Sequence, residues 1–369
     1  MIEHSIYKPQ LIFWETTKAC PLACKHCRAQ ALLEPLPDQL SPEESISMIE
    51  SLTEFGKPYP VLILTGGDVM LRKDLESILR KAKDLGIKVA LSPAVSEKLN
   101  EASAKLARRY GIHSISLSLD WSSPEKQDSF RGKYETFART LDAIQIFSSY
   151  GIPVQINTTV YRDNLFDLPK MLSLISRLGI KVWELFFLIR IGRGEVLDDL
   201  TPYEMEAVNG WIASIKKERM SIRTVESPIV KRIELQGQIY EGSLKNEVYQ
   251  KLISSTEADF SYKYGENPAL PPGRRMKTIF IGQNGDVLIN GFVERSLGNI
   301  RKSSITSICT DNEILDRLER PGSFNGKCGY CEYNKVCGGS RARAYSTTGD
   351  LFGSDPGCIY VPMEQRLNM

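Results

Sequence analysis

Three cysteines near the N-terminus have the spacing of a metal or cluster site. Cys20, Cys24 and Cys27 follow one another as C-x3-C-x2-C, directly after the apolar run Leu11–Trp14. A cubane of four irons needs four ligands, usually thiolates, so three cysteines in one short loop would leave one iron open. The alternatives are three buried structural cysteines, or a zinc site that takes His26 as its fourth ligand. The spacing favours an iron–sulfur cluster with one open position.

Four further cysteines form a second group near the C-terminus. Cys328, Cys331, Cys337 and Cys358 have the spacing C-x2-C-x5-C, followed after twenty residues by the last cysteine. Four thiolates saturate a cubane, so a cluster held here would have no open iron. A single zinc ion in a tetrahedral structural site is the alternative. Cys309 stands alone in the apolar start of a predicted helix, and we expect it to be a buried core residue.

Six strand-and-helix units must position the first cysteine group. Short apolar runs predict strands at Leu11–Trp14, Val61–Thr65, Lys88–Ser92, Ser114–Asp120, Val154–Val160 and Val182–Ile189. Amphipathic stretches predict helices at Pro42–Phe55, Leu75–Leu85, Glu97–Tyr110, Tyr134–Tyr150 and Leu165–Leu178. Such a series indicates parallel strands with crossover helices, in either an open doubly wound sheet or a partial (β/α) barrel. In both, the cysteine loop lies at the carboxyl edge of the strands, where active sites occur.

Four of these helices run into the same two-residue ending. A glycine followed by isoleucine stands at Gly86, Gly111, Gly151 and Gly179. Glycine after a helix readily adopts the left-handed conformation that ends it, and the isoleucine then begins the next buried strand. The pattern therefore predicts four tight helix-to-strand turns.

The regular alternation of predicted strands and helices ends after about residue 200. A helix is predicted at Pro202–Met220 and a short strand at Ser221–Val225. The more polar stretch from Gln236 to Arg275, with its turn sequence NPALPPG, is interpreted as a linker or lid. Two apolar runs within Lys277–Asn290 are joined through Asn-Gly, which predicts a hairpin.

Composition and charge exclude several broad classes. The 369 residues are 42% hydrophobic and 25% charged, as in ordinary globular proteins. The 47 Lys and Arg nearly balance the 45 Asp and Glu, so nothing suggests nucleic-acid binding. No apolar run is long enough for a membrane span, and the start MIEHSIYKPQ has no signal-peptide pattern. We therefore expect a cytoplasmic protein that binds neither nucleic acid nor membrane.

Three segments together resemble the radical SAM superfamily, whose members use S-adenosylmethionine (SAM). They are WETTKACPLACKHCRAQA, the strand end Leu64-Thr65-Gly66-Gly67-Asp68, and the tail segment GGSRARAYSTTGD, which resembles SPASM/twitch extensions. Where the family usually has Glu after the two glycines, this chain has Asp68. The resemblance implies an α/β fold: a partial (β/α)6 TIM-type barrel over residues 1–225, a linker or lid over 226–275, and a cysteine-rich, hairpin-containing twitch-like extension over 276–369.

The resemblance also implies the cofactors, two 4Fe–4S clusters and SAM. Cys20, Cys24 and Cys27 would hold the catalytic cluster, which gives SAM one electron so that a 5′-deoxyadenosyl radical can abstract a substrate hydrogen. The implied SAM contacts are Gly66, Gly67 and Asp68 for the amino group, Ser92, Ser118 and Asn157 for the ribose or carboxylate, and Ile191 in the segment that meets adenine. Cys328, Cys331, Cys337 and Cys358 would hold a single auxiliary cluster.

The spacing of the tail cysteines indicates a substrate class by resemblance. Its single-cluster spacing looks most like radical SAM enzymes that trim the carboxylate side chains of haem precursors. Such a tetrapyrrole would need basic residues, and the candidates are Arg190, Arg193, Arg274, Arg275, Arg341 and Arg343. One alternative is a maturase that oxidises or crosslinks a ribosomal peptide, although only ten residues precede the first strand and we expect no N-terminal peptide-binding domain. The other is a non-catalytic iron–sulfur or zinc scaffold. For an enzyme, flavodoxin or ferredoxin is the expected electron donor.

Overall fold

Strands and helices alternate along the chain in this computed structural model, which describes residues 5–215, 220–236, 246–259 and 276–363. The strands are β1 Leu11–Glu15, β2 Val61–Thr65, β3 Val89–Leu91, β4 Ser114–Ser118, β5 Val154–Val160, β6 Val182–Phe187, β7 Ser221–Val225, β8 Thr278–Ile281, β9 Asp286–Leu288 and β10 Ser296–Asn299.

The α-helices are α1 Pro42–Ser51, α2 Leu75–Asp84, α3 Glu101–Tyr110, α4 Pro124–Arg131, α5 Thr136–Ser149, α6 Leu168–Arg177, α7 Pro202–Ser214, α8 Ile229–Gln236, α9 Glu247–Asp259, α10 Ile305–Ile308, α11 Glu313–Leu318, α12 Lys327–Tyr330 and α13 Arg341–Thr348. Short 3-10 helices are Leu52–Phe55, Val69–Leu71, Arg162–Asp167, Gly192–Val196 and Pro321–Ser323.

Contacts divide the chain into two units, the first made of Met1–Ser118, Gln127–Gln155 and Met276–Asp316. Its strands lie in the order β10-β9-β8-β1-β2-β3-β4. Strands β8, β1, β2, β3 and β4 are parallel neighbours, whereas β8, β9 and β10 form antiparallel pairs. The cysteine loop follows β1, which lies between β8 and β2.

The second unit comprises Leu119–Lys126, Ile156–Arg275 and Arg317–Met369. It contains most of β5, together with β6 and β7, which pair in parallel. The Trp183 indole on β6 donates to Thr158 of β5 at 2.8 Å, and the Trp211 indole on α7 donates to Thr256 of α9 at 2.9 Å. The two indole rings meet edge to face at 6.4 Å in the core of this unit.

Local capping explains where the helices begin and end. Ser41 and Glu44 form a capping box at the start of α1, and Thr201 and Glu204 form another at α7. Asn100 caps α3, which is why this helix starts at Glu101 rather than at the predicted Glu97. The four glycines that end predicted helices all have φ between 67° and 72°, which confirms the predicted turns.

The structure also departs from the sequence interpretation. The predicted hairpin forms as β8 and β9, but β8 additionally pairs in parallel with β1, which the turn pattern did not predict. Part of the predicted linker is helical, because α9 packs on α6 and α7. The NPALPPG turn, Arg274 and Arg275 lie outside the described residues, and the predicted domain boundaries stay a prediction.

No helix in the described parts of the chain is both long enough and apolar enough to cross a membrane.

Candidate functional site

The first cysteine group lies in a loop closed by its own backbone. The Cys20 amide donates to the Leu32 carbonyl at 2.7 Å, and the Leu32 amide donates to Lys18 at 2.9 Å. Within the loop, the Cys27 amide donates to the Cys24 carbonyl at 3.2 Å. All three thiols are thereby held on one short segment at the carboxyl end of β1.

These thiols are largely shielded from water. Cys20 is 6% exposed and Cys24 is 9% exposed, while Cys27 is half-buried. Burial raises the pKa of the Cys20 thiol from 9.0 to about 12. Cysteine binds metal as a thiolate, so a bound cation or cluster would have to displace this proton. All eight cysteines lie in the described residues, and none is in a disulfide.

The glycine pair after β2 packs against the cysteine loop. The Gly67 amide donates to the Thr17 carbonyl and the Asp68 amide donates to the Ala19 carbonyl, both at 2.7 Å. A Cβ on Gly67 would lie 2.2 Å from the Ala19 oxygen, and Gly66 has φ of 132°. The two glycines therefore let the backbone of this turn approach the loop that carries Cys20.

Asp68 is fully buried and already hydrogen-bonded. Its carboxylate accepts from the Ser96 hydroxyl at 2.6 Å and from the Met70 amide at 3.1 Å. Burial raises the pKa of this carboxyl. These bonds fix the Gly66-Gly67 turn in place, and contact of the turn with SAM stays a prediction.

Two arginines border the cysteine loop. Arg131 lies with its guanidinium 3.9 Å from the Cys24 sulfur. Arg28, next to Cys27, pairs with the buried Glu15 carboxylate at 2.9 Å and donates to the Gly291 carbonyl at 3.2 Å. Sequence reasoning missed the role of Arg28, because one arginine after a cysteine carries no signal of its distant partners.

Of the remaining predicted SAM contacts, Ser92 and Ser118 lie at strand ends, Asn157 lies within β5, and Ile191 lies in a loop. Ser92 and Ser118 belong to the first unit, and Asn157 and Ile191 belong to the second. All four are half-buried. On β4 and β6, one face is fully buried while the alternate residues, such as Ser118 and Glu184, stay partly accessible. The structure does not test the predicted SAM contacts, which stay predictions.

The second cysteine group converges on a cavity in the second unit. The space between these cysteines, about 350 Å³, includes open solvent. Its lining consists of Cys328, Cys331, Cys337 and Cys358 with Arg232, Lys327, Tyr333, Asn334, Gly338, Gly339, Tyr360 and Pro362. Sequence reasoning identified the cysteines but missed Arg232, which lies on α8, far from them along the chain.

The cavity walls largely shield the cysteine thiols from water. Burial raises the pKa of Cys337 to about 12 and that of Cys358 to about 11. The Cys328 sulfur accepts a hydrogen bond from the Asp355 amide at 3.3 Å. A Cβ on Gly339 would lie 3.0 Å from the Cys328 sulfur and 2.6 Å from Asp355, so glycine keeps this wall clear.

Neither cysteine group is arranged around one small ion. Across residues 5–215, 220–236, 246–259 and 276–363, no three His, Cys, Asp or Glu side chains are placed to hold a single metal ion. Cys309 is 1% exposed and lies outside both groups, as predicted for a core residue.

The predicted carboxylate-binding arginines are mostly engaged elsewhere. The exposed Arg190 donates to the Glu195 carbonyl of its own loop. Arg341 and Arg343 are buried beside the second cysteine group, where Arg343 donates to the Glu226 carbonyl and lies near Asp199. Arg190, Arg341 and Arg343 therefore each have hydrogen-bond partners within the chain.

The chain is similar to known proteins in family profile and in sequence. The radical SAM superfamily profile matches residues 14–175. The chain is 34% identical to an AdoMet-dependent heme synthase of Oleidesulfovibrio alaskensis (96% of this chain, 88% of that protein) and 33% identical to one of Methanosarcina barkeri (96% and 97%). It is 26% identical to a PqqA peptide cyclase of Rhizobium meliloti (99% and 90%).

Solved structures show the same fold. SuiB of Streptococcus suis bound to S-adenosylmethionine superposes with a TM-score of 0.69 at 14% identity, covering 96% of this chain and 78% of SuiB. The enzyme anSMEcpe with bound AdoMet gives 0.64 at 16% identity, covering 94% and 93%. The partial-barrel α/β fold is thus confirmed, with the sequence relatives supplying the family: this chain is an enzyme that belongs to the radical SAM superfamily.

Proposed function

We propose that this radical SAM enzyme acts on a tetrapyrrole, reshaping the carboxylate side chains of an iron porphyrin on the way to haem. The observation that carries the proposal is the near full-length similarity to AdoMet-dependent heme synthases, at 33–34% identity. A coproporphyrin synthase and a pre-heme d1 synthase, at 26% and 25%, support the same substrate class.

Cys20, Cys24 and Cys27 are the proposed ligands of the catalytic 4Fe–4S cluster. The three thiols share one loop and are largely shielded from water, which suits a cluster whose chemistry requires water to be excluded. Three thiolates leave one iron for SAM. When bound, the reduced cluster supplies the electron that cleaves SAM. The chain itself holds the loop against the Gly66-Gly67 turn, and it places the positive Arg131 beside Cys24.

Cys328, Cys331, Cys337 and Cys358 are the proposed ligands of a second 4Fe–4S cluster. All four thiols line one cavity, and four thiolates are the usual ligand set of a cubane. A single zinc ion is the alternative occupant. The Asp355 amide donates to the Cys328 sulfur, which suits a thiolate ligand. We place the enzyme in the reducing cytoplasm, with flavodoxin or ferredoxin as its electron donor.

A peptide substrate is the second candidate. It is favoured by the similarity to PqqA peptide cyclase and by the fold shared with SuiB, but both likenesses are lower in identity. A non-catalytic scaffold would have no need for the three-cysteine loop beside the glycine turn.

The test is turnover under strictly anaerobic conditions. Reconstituted enzyme is incubated with SAM, dithionite and iron-coproporphyrin III, and the products are separated by chromatography with mass detection. The expected result is 5′-deoxyadenosine together with porphyrins that have lost CO2 from propionate side chains. Cys24→Ala is the negative control. SAM cleavage that leaves the porphyrin intact, but proceeds to product with a peptide, would transfer the assignment to the second candidate.

A further inference from the structure

Two buried arginines beside the four-cysteine cavity have N–H groups without a partner. The Nε atom of Arg232 and the Nη2 atom of Arg341 are buried and make no hydrogen bond within the described residues. Arg232 is 1% exposed and Arg341 is 6% exposed. A buried unpaired donor is costly, so each such group calls for an explanation.

Arg232 presents its positive charge to the cavity. Its guanidinium lies 4.8 Å from the Tyr360 ring centre, and both residues are part of the cavity lining. Its two terminal nitrogens donate to Glu206 and Gln236, neither of which lines the cavity. The buried ion pair therefore turns its positive end toward the cysteines.

Arg341 approaches the same cysteines from α13. Its Nη1 atom donates to the Leu351 and Gly353 carbonyls at 3.1 and 2.6 Å, which fixes the guanidinium. A Cβ built on Gly339 would lie 2.7 Å from the Arg341 Nη2 atom and 3.0 Å from the Cys328 sulfur. The unpartnered nitrogen and the sulfur therefore flank the same point in the cavity wall.

The other charges around the cavity are nearly balanced. Lys327 lines it and donates to the Cys358 carbonyl. Asp355 is buried, and its carboxylate accepts from the Ser340 and Gly357 amides. Glu332 accepts from the Tyr360 hydroxyl. Arg343 is buried too and has unpartnered Nε and Nη2 atoms, but its guanidinium lies 3.5 Å from Asp199 and 3.6 Å from Asp355. Arg232 lines the cavity and Arg341 lies near the Cys328 sulfur, so these two have unpartnered N–H groups close to the cysteines.

We propose that Arg232 and Arg341 donate hydrogen bonds to the sulfurs of the cluster proposed for this cavity, and that they raise its reduction potential. The inference rests on the proposed second cluster. One-electron reduction adds a negative charge to an already anionic group. Cations and N–H donors at its sulfurs stabilise the reduced form more than the oxidised form.

The test is a potentiometric titration of the second cluster with dithionite, followed by electron paramagnetic resonance. It uses the full-length chain with Cys20, Cys24 and Cys27 changed to alanine, so that only the tail cluster contributes. Arg232→Gln combined with Glu206→Gln removes the ion pair without leaving a lone buried charge. The midpoint potential should fall, with the equilibrium ratio of reduced to oxidised cluster dropping about tenfold, or about 59 mV for one electron.

Two further variants test the direction of the potential shift and whether it depends on charge or on N–H donation. Glu206→Gln alone leaves the Arg232 charge uncompensated, so the potential should rise. Arg341→Lys retains the charge but removes the fixed N–H fork, and it should lower the potential by a smaller amount. Arg317→Gln is the matched control, because the Arg317 guanidinium donates to the Ser323 carbonyl and the Asn325 side chain, and the cluster potential should not change in this variant.

The outcomes separate this inference from the function on which it rests. If the triple-alanine chain binds zinc and no iron, the second cluster itself is wrong. If the cluster assembles but all variants titrate at the same potential, the arginines do not act on it and the inference fails. If the double variant does not retain the cluster, the opposite shifts expected for Glu206→Gln and Arg341→Lys still decide the matter.

Discussion

The two cysteine groups are assembled in different ways. The first is local: three cysteines between positions 20 and 27 sit on one loop, closed by backbone hydrogen bonds to Lys18 and Leu32. The second gathers cysteines from position 328 to 358 around a cavity and draws its cations from α8 and α13. Three thiolates on a short loop would leave one iron open for SAM, whereas four thiolates around the cavity would saturate the proposed second cluster.

The largest effect is expected when the first group is broken. Cys24→Ala should abolish SAM cleavage, because the catalytic cluster would lose one of its three proposed ligands, while about four irons should remain in the tail. The assay measures 5′-deoxyadenosine and iron per chain. Retained SAM cleavage in this variant would contradict the assignment of the open cluster to this loop.

Breaking the second group should separate SAM cleavage from substrate turnover. Cys331→Ala is expected to lose about four irons and to impair substrate turnover, while SAM cleavage without substrate persists. If SAM cleavage disappears as well and the first cluster is absent, the two groups are not independent sites.

The contact between the glycine turn and the cysteine loop gives an intermediate effect. Gly67→Ala would place a Cβ 2.2 Å from the Ala19 oxygen, and overpacking of this kind typically costs about 1–3 kcal/mol. We expect a lower free energy of unfolding in denaturant titration and weaker SAM cleavage, with the tail iron unchanged. Gly322→Ala is the control, since its nearest neighbouring atom would be 3.9 Å away. Equal losses in both variants would remove the special role of the Gly67 contact.

The smallest effect is expected at the cysteine outside both groups. Cys309→Ala should retain all iron and full SAM cleavage, because the thiol is buried in the core of the first unit. The lost packing should lower stability by about 1 kcal/mol, measurable as a modest fall in Tm. Loss of a cluster in this variant would make Cys309 a ligand. It would overturn the assignment of three cysteines to the first cluster and four to the second.

Local features of this chain could be predicted from sequence, and spatial neighbours could not. The spacing of Cys20, Cys24 and Cys27 and the turn at Gly111 are set by adjacent residues, so the cysteine loop and the helix end were predicted correctly. The parallel pairing of β8 with β1 joins positions more than 250 residues apart, and nothing in the turn at Asn284 indicates it.

The second group shows the same limit at the level of the site. Its four cysteines are evident from spacing, but Arg232 lies within residues 226–275, which the sequence interpretation treats as a linker or lid, beside the similar Lys231. Only the tertiary packing that buries Arg232 against Tyr360 and Glu206 marks it as part of the cavity.

The most direct test of two distinct cluster sites is to reconstitute the protein without oxygen, count iron and sulfide per chain, and add SAM with dithionite. We predict about eight irons, for two cubanes, together with formation of 5′-deoxyadenosine. About four irons with zinc in the tail would contradict the second cluster, and absence of 5′-deoxyadenosine would contradict the open first cluster.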